Sequence, residues 1–235
     1  MSVWTPRRFW TAVGVASADG GFTVHLDGRP VRTPLKAPLV LPTEALAREI
    51  GAEWQAVEGK VEPARMPFTR MANSAIDKVA PQFDAVAAML AEYGGSDLIC
   101  YRAERPAGLA ARQAECWDPL LGWAADELAA PLVATAGVMH RPQADASLAA
   151  LHRAVRALTP FQLAAFHDLV ALSGSLVIAL ALARGRLAAE EAWTLSRIDE
   201  DWQIAEWGED EEAAEIAAQK KADFLRAERF FGLCG

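Results

Sequence analysis

Between Asp199 and Glu215 the sequence carries nine carboxylates and no Lys or Arg, with Trp202 and Trp207 set among them. Carboxylates at this density can hold a divalent cation, act as general acid and base, or rim a protein-binding surface. Asp199, Gln203, Glu206 and Asp210 would share one helical face, yet no histidine or Glu-x-x-His motif completes a di-metal set beside them. The four histidines, His25, His140, His152 and His167, lack metal-ligand spacing. His167 falls inside the most apolar expected helix, where a lone histidine is either a catalytic base or a hydrogen-bonded core residue. Neither GxGxxG nor a P-loop pattern occurs. Ser173-Gly174-Ser175 is expected in mid-helix rather than at the strand-to-helix turn of a nucleophile elbow. No catalytic residue, cofactor site or metal site is therefore assigned. A hydrolase or metal-dependent enzyme using the acidic residues of the C-terminal part is the alternative reading.

The acidic run must be positioned by helices. Glu209–Glu212 follow Gly208 and suit the first turn of a helix, where carboxylates complement the helix dipole. At about 100° per residue, Leu195, Ile198, Trp202 and Ala205 form one apolar stripe, bordered by Asp199 and Glu206. Ile204 and Trp207 fall on nearly the opposite side, beside Glu200. A helix with two apolar faces is either sandwiched in a core or lends one face to a partner. Tryptophans flanked by carboxylates suit a partner whose apolar pockets are rimmed by Arg or Lys.

Composition narrows the classes further. The chain has 235 residues, 52% apolar and 23% charged, with eight tryptophans, which is globular rather than disordered. Its net charge of −8 is unevenly spread: residues 1–80 hold ten Lys/Arg against eight Asp/Glu, the remainder thirteen against twenty-three. An acidic C-terminal part argues against nucleic acid and against anionic membrane surfaces, both of which draw on clustered cations. Three widely spaced cysteines without a CxxC pair point to a reducing compartment. The start MSVWTPRRFW lacks the apolar stretch of a signal peptide, and the longest apolar run, Leu176 to Ala183, is too short to span a bilayer. A soluble, cytoplasmic protein without membrane insertion is expected.

The first third reads as β-rich. A strand is expected over Phe9 to Val15, then Phe22 to Leu26 and Val31 to Thr33 on either side of the hairpin signal Asp27-Gly28. Pro30 and Pro34 mark an edge strand or an early exit. Thr43 reads as an N-cap, followed by a stripe of Leu46, Ile50, Trp54 and Val57. The rest is mainly helical, over Thr69–Ala80, Gln82–Tyr93, Leu109–Ala130, Ala144–Leu158, Pro160–Arg184, Ala188–Trp207 and Glu211–Phe231, with a possible isolated strand at Leu98 to Tyr101. Pro160–Arg184, apolar almost all round, should be the central buried helix. The expected fold class is α+β: a small β-rich N-terminal domain, residues 1–66, then a larger helical domain, residues 67–235.

Six segments in this order, GFTVHLDGRPVRTP, LPTEALAREIGAEW, MPFTRMANSAID, DLICYRAERP, ECWDPLLGW and SRIDEDWQIAEWGED, resemble an assembly chaperone family. That family handles the alpha subunit of the soluble catalytic head of ATP synthase, in mitochondria and alpha-proteobacteria. The similarity runs from about Arg8 to Phe231. It implies a β-rich domain joined to a helical one, and a monomer that binds free alpha subunit without nucleotide until beta subunits displace it. The location implied is the cytoplasm in bacteria and the mitochondrial matrix in eukaryotic relatives. Asp199 and Glu200 fall in the family's acidic motif, which holds an essential carboxylate. Trp202 occupies an aromatic position of that motif, and Trp207 and Gly208 match its Trp-Gly pair. With Ile204 and Glu209 these make the expected partner-binding set. Trp54, Asn73 and Asp77 match other family motifs, and structural roles are expected for them: anchoring the helix on the β domain, side-chain capping or domain docking. Arg102 and Asp118 are expected to form a buried interdomain ion pair.

Overall fold

The computed structural model describes residues 7–235. The first six residues of the expected N-terminal domain lie outside the described residues. The fold is α+β, and its packing divides into two compact units. Unit 1 comprises residues up to Phe83 with Pro160–Ala165 and Phe230–Gly235, and unit 2 comprises Asp84–Thr159 and Phe166–Arg229. The grouping thus runs past residue 66, because the helical segment that follows buries Phe68 and Ala72 in the same core as the strands.

Unit 1 is built on a three-stranded antiparallel sheet, β1 (Val13–Ala18), β2 (Gly21–Leu26) and β3 (Arg29–Pro30), in that order. Asp27 and Gly28 both take positive φ (47° and 79°), the requirement of a tight hairpin turn whose twist matches the strands. The Asp27 carboxylate accepts from the Thr11 and Ala12 amides, at 3.1 and 2.8 Å, and these bonds hold its pKa down. The first strand starts at Val13 rather than Phe9, since its partner β2 ends at Leu26. The expected strand over Val31–Thr33 keeps one bond to β2, from the Val31 amide to the Val24 carbonyl at 2.9 Å, and then continues as an isolated bridge between Arg32 and Pro38 rather than as a strand of the sheet.

Helix α1 (Glu44–Gln55) begins at Thr43, whose Oγ1 accepts from the Leu46 amide at 3.1 Å. Leu46 and Ile50 are fully buried against the sheet. Glu53 then caps α2 (Pro67–Ser74) from outside, accepting from the Phe68 and Thr69 amides at 2.7 Å each. The expected single helix Thr69–Ala80 stops at Ser74. It loosens into a wider turn over Ala75–Val79 ahead of Pro81, which cannot continue the bonding pattern.

Unit 2 contains α3 (Phe83–Ala91) beyond its first residue, then α4 (Ala107–Leu128), α5 (Asp145–Arg156), α7 (Leu176–Ala183), α8 (Ala189–Ser196) and α9 (Ile198–Trp207). Most of α6 (Pro160–Ser173) and α10 (Glu211–Gly232) also belongs to it. Of the expected strand Leu98–Tyr101, only Tyr101 pairs: β4 (Tyr101–Arg102) runs parallel to β5 (Thr135–Ala136), and Leu98–Cys100 form a tight helical turn.

The expected helix Pro160–Arg184 is two helices. Gly174 turns to φ +69°, and Ser175 starts α7 by accepting from the Ile178 amide at 3.0 Å. Asp97, fully buried, accepts from the Val177 amide at 2.9 Å and from the Ile99 amide at 3.2 Å. Burial pushes its pKa up to about 6 despite these bonds. Ser173-Gly174-Ser175 is therefore a helix joint, and α7 is the fully apolar helix at the centre of unit 2. His167 is not a core residue: it is about half exposed and hydrogen-bonds Asp168 at 3.0 Å, which raises its pKa. A second break, at Arg197, separates α8 from α9 within the expected helix Ala188–Trp207.

Candidate functional site

The acidic run folds into α9, the turn at Gly208 (φ +91°) and the start of α10. The two sides of α9 do different things. On its inner side Ile198 is 1% exposed, and Asp199 accepts from Gln113 Nε2 at 2.5 Å. Gln113, itself buried on α4, uses its Oε1 to accept from the Ala103 amide at 2.7 Å. One amide side chain thereby ties α9 to the segment leaving β4. Trp202 lies against Gly108 of α4, where a Cβ would sit 2.8 Å from the tip of the indole. Only glycine lets the ring approach this closely.

The α8 side is equally well fixed. Trp117, fully buried, donates from Nε1 to the Leu195 carbonyl at 2.8 Å. Arg102 lies over its ring at 5.0 Å and pairs with Asp118 at 2.7 Å. That pair lies wholly within unit 2 and Asp118 is 62% exposed, so it is not the buried interdomain pair expected. Aspartate is short, and the long Arg102 side chain crosses the Trp117 ring to reach it at the surface. The Cys100 thiol is pushed up to about 12 by burial, which leaves no reactive thiolate at neutral pH.

The outer side of α9 opens. Ile204 is 39% and Trp207 80% exposed, an apolar edge set beside carboxylates. With Trp193 and the small side chains Ala213, Ala214 and Ala217 of α10 they line a groove of about 460 Å³. Its rim holds Glu200, Asp201, Glu209 and Asp210. Glu200 pairs with Arg197 at 2.9 Å, and Lys221 at the far wall is drawn to Glu190 at 2.6 Å. Asp210 caps α10 by accepting from the Ala213 amide at 2.8 Å. The balance of the rim is negative.

Of the expected partner-binding residues, Glu200, Ile204, Trp207 and Glu209 line this groove, whereas Asp199 and Trp202 face inward and hold α9 in place. Trp54, Asn73 and Asp77 lie elsewhere, in unit 1, around a separate groove. Gln113 and Gly108 were not legible as site-building residues, because in sequence they read as ordinary positions of a helix. Among the described residues no group of three or more His, Cys, Asp or Glu is placed to hold a metal ion. No helix among them is long and apolar enough to cross a membrane.

An exposed aromatic edge inside an acidic rim, on a helix locked from behind, has the composition of a protein-docking surface and offers no catalytic arrangement. The sequence pattern of the ATP12 chaperone protein family matches residues 7–125, and the chain belongs to that family. As a member it is an ATP synthase assembly chaperone and not an enzyme, with an ATP synthase subunit as partner. It is 26% identical over 242 residues to the mitochondrial protein atp12 of Schizosaccharomyces pombe, covering 97% of this chain and 82% of that one. The crystal structure of Atp12 from Paracoccus denitrificans is 56% identical, covers 97% of this chain and 98% of that chain, and superposes with a TM-score of 0.94. An aspartate-to-lysine mutant of the same Paracoccus protein, 55% identical with the same coverage, also superposes at 0.94.

Proposed function

We propose that this chaperone binds the free alpha subunit of ATP synthase and covers its subunit interface until the beta subunit takes its place. The observation that carries this reading is the exposed Trp207 and Ile204 edge inside the acidic groove between α9 and α10. A subunit awaiting its neighbour exposes apolar surface, which invites aggregation. An apolar groove with a carboxylate rim suits an apolar patch flanked by Arg or Lys, and carboxylates at the rim speed encounter more than they tighten the complex. Release to the beta subunit needs no nucleotide, only a competitor for the same patch. In this reading Glu200, Ile204, Trp207 and Glu209 touch the alpha subunit, while Asp199 and Trp202 hold the helix that presents them. The protein acts as a cytoplasmic monomer.

The test is co-purification of isolated alpha subunit with the chaperone. Wild type should retain it, and Glu200→Lys and Trp207→Ala should lose it while keeping wild-type thermal melts. Failure of wild type to bind isolated alpha subunit would sink the reading. Undiminished binding by both folded variants would move the contact off this groove.

A further inference from the structure

Unit 1 carries a second groove, of about 570 Å³, whose walls are unlike the first. Its floor is apolar, with Trp54, Val61 and Met66. Its rim is basic: Arg32, Lys36, Arg70 and Lys78 are all exposed, and none forms an ion pair among the described residues. The carboxylate there, Asp77, is already engaged, accepting from Thr33 Oγ1 at 2.6 Å and from the Leu35 amide at 3.1 Å. These bonds fix the Thr33–Lys36 turn as one wall and hold Leu35, 71% exposed, at the mouth.

Two residues of the groove wall, Trp54 and Asn73, each hold a polar atom that is shut off from solvent and unpartnered among the described residues, the Trp54 Nε1–H and the Asn73 Oδ1. Buried polar groups are nearly always paired, so each such atom calls for an explanation. One is a donor and the other an acceptor. An anion without a proton, such as sulfate, could satisfy only the donor, and a hydrocarbon neither. A peptide group, which offers a C=O and an N–H together, satisfies both.

We propose that this groove takes an extended, apolar segment of the alpha subunit that has acidic residues beside it, a reading that rests on the chaperone role proposed above. The carboxylates of the segment meet the rim of Arg32, Lys36, Arg70 and Lys78, its apolar side chains lie on Val61 and Met66, and side-chain shifts of Trp54 and Asn73 on binding bring Nε1 and Oδ1 to its backbone. The charge of the occupant is opposite to that suited to the α9–α10 groove.

The experiment measures affinity for isolated alpha subunit, and for overlapping peptides tiled along it, with wild type, Arg70→Glu/Lys78→Glu and Trp54→Phe. The phenylalanine keeps an aromatic ring beside Trp10 while removing the donor and part of the indole, so its melt is recorded alongside its affinity. Loss of about tenfold for the charge pair and roughly threefold for Trp54→Phe, with acidic apolar peptides following the same order, is the expected result. Should the charge-reversed pair melt early, Arg70→Gln/Lys78→Gln replaces it, with a smaller loss expected in the same direction. Wild-type alpha-subunit affinity in the folded variants overturns this inference and leaves the chaperone reading intact. No binding of alpha subunit by wild type overturns both. Competition by phosphate or citrate, with no peptide bound, makes the occupant a small anion and overturns the polypeptide assignment.

Discussion

The acidic groove of unit 2 and the basic groove of unit 1 use carboxylates and tryptophans in opposite ways. In unit 2 the rim is acidic and the tryptophan at the edge, Trp207, is 80% exposed. In unit 1 the rim is basic and Trp54 is half-buried, set edge-on against Trp10 at 5.2 Å. Beside each, one carboxylate works inward: Asp199 is bound to Gln113, and Asp77 to Thr33 and the Leu35 amide. The contrast teaches that a carboxylate close to a groove is not thereby a contact residue. Its hydrogen-bond partners tell whether it faces a client or builds the wall.

The largest effects should separate the two tryptophans. Trp207→Ala removes an exposed aromatic anchor and should cost roughly 2–4 kcal/mol of alpha-subunit binding, with the unfolding transition unmoved. Trp54→Ala leaves a hole beside Trp10 and should cost about 2–3 kcal/mol of stability whatever happens to binding. Isothermal calorimetry and denaturant melts on both variants test this. A lowered midpoint for Trp207→Ala would show that the edge is part of the core after all.

Carboxylates divide in the same manner. Asp97 is buried at the α6–α7 joint, with its pKa raised from 3.8 to about 6. Between those values the folded protein keeps a proton that the unfolded chain has released, so stability falls as pH rises through that window and levels off above it. The drop attributable to Asp97 is up to about 3 kcal/mol. Denaturant melts from pH 4 to 7 should show it, and Asp97→Asn should flatten it. Smaller differences are expected within the acidic segment. Asp199→Lys breaks a bond to a buried amide and should cost about 1–3 kcal/mol of stability. Glu209→Lys, on the exposed rim, should change stability by less than about 0.5 kcal/mol while weakening binding. Equal stability for the two would mean that Gln113 does not fix α9.

How far the sequence foretold these features follows from how local their causes are. The Thr43 cap and the Asp27-Gly28 turn depend on residues within a few positions, and both were legible. So was the phase of α9, which sets buried Ile198 against exposed Ile204 and Trp207. The breaks at Gly174 and Arg197 were not. An apolar run around Ser173-Gly174-Ser175 reads as one helix until Asp97, eighty positions away in the chain, supplies an acceptor for the Val177 amide. Gln113 reads as a polar residue of an ordinary helix, and its partner Asp199 lies eighty-six positions on. Glu53, capping α2 from α1, is a case of the same kind. Long-range side-chain hydrogen bonds leave no periodic trace, so the walls of both grooves were hidden while their apolar edges and charges were visible.

The smallest effect bears most directly on whether both grooves meet the same client. Rim charges act across water and are screened over about 10 Å at 0.1 M salt. If cations on the client face Glu200 and Glu209 while its carboxylates face Arg70 and Lys78, both attractions weaken together as salt rises. Wild-type affinity should then fall by about threefold from low to physiological ionic strength, well below the loss from Trp207→Ala. Neutralising either rim, through Glu200→Gln/Glu209→Gln or Arg70→Gln/Lys78→Gln, should remove about half of that dependence. If one pair removes all of it, a single groove carries the electrostatic contact. If neither changes it, the apolar edges hold the client, and the opposite charges of the two rims serve something other than this complex.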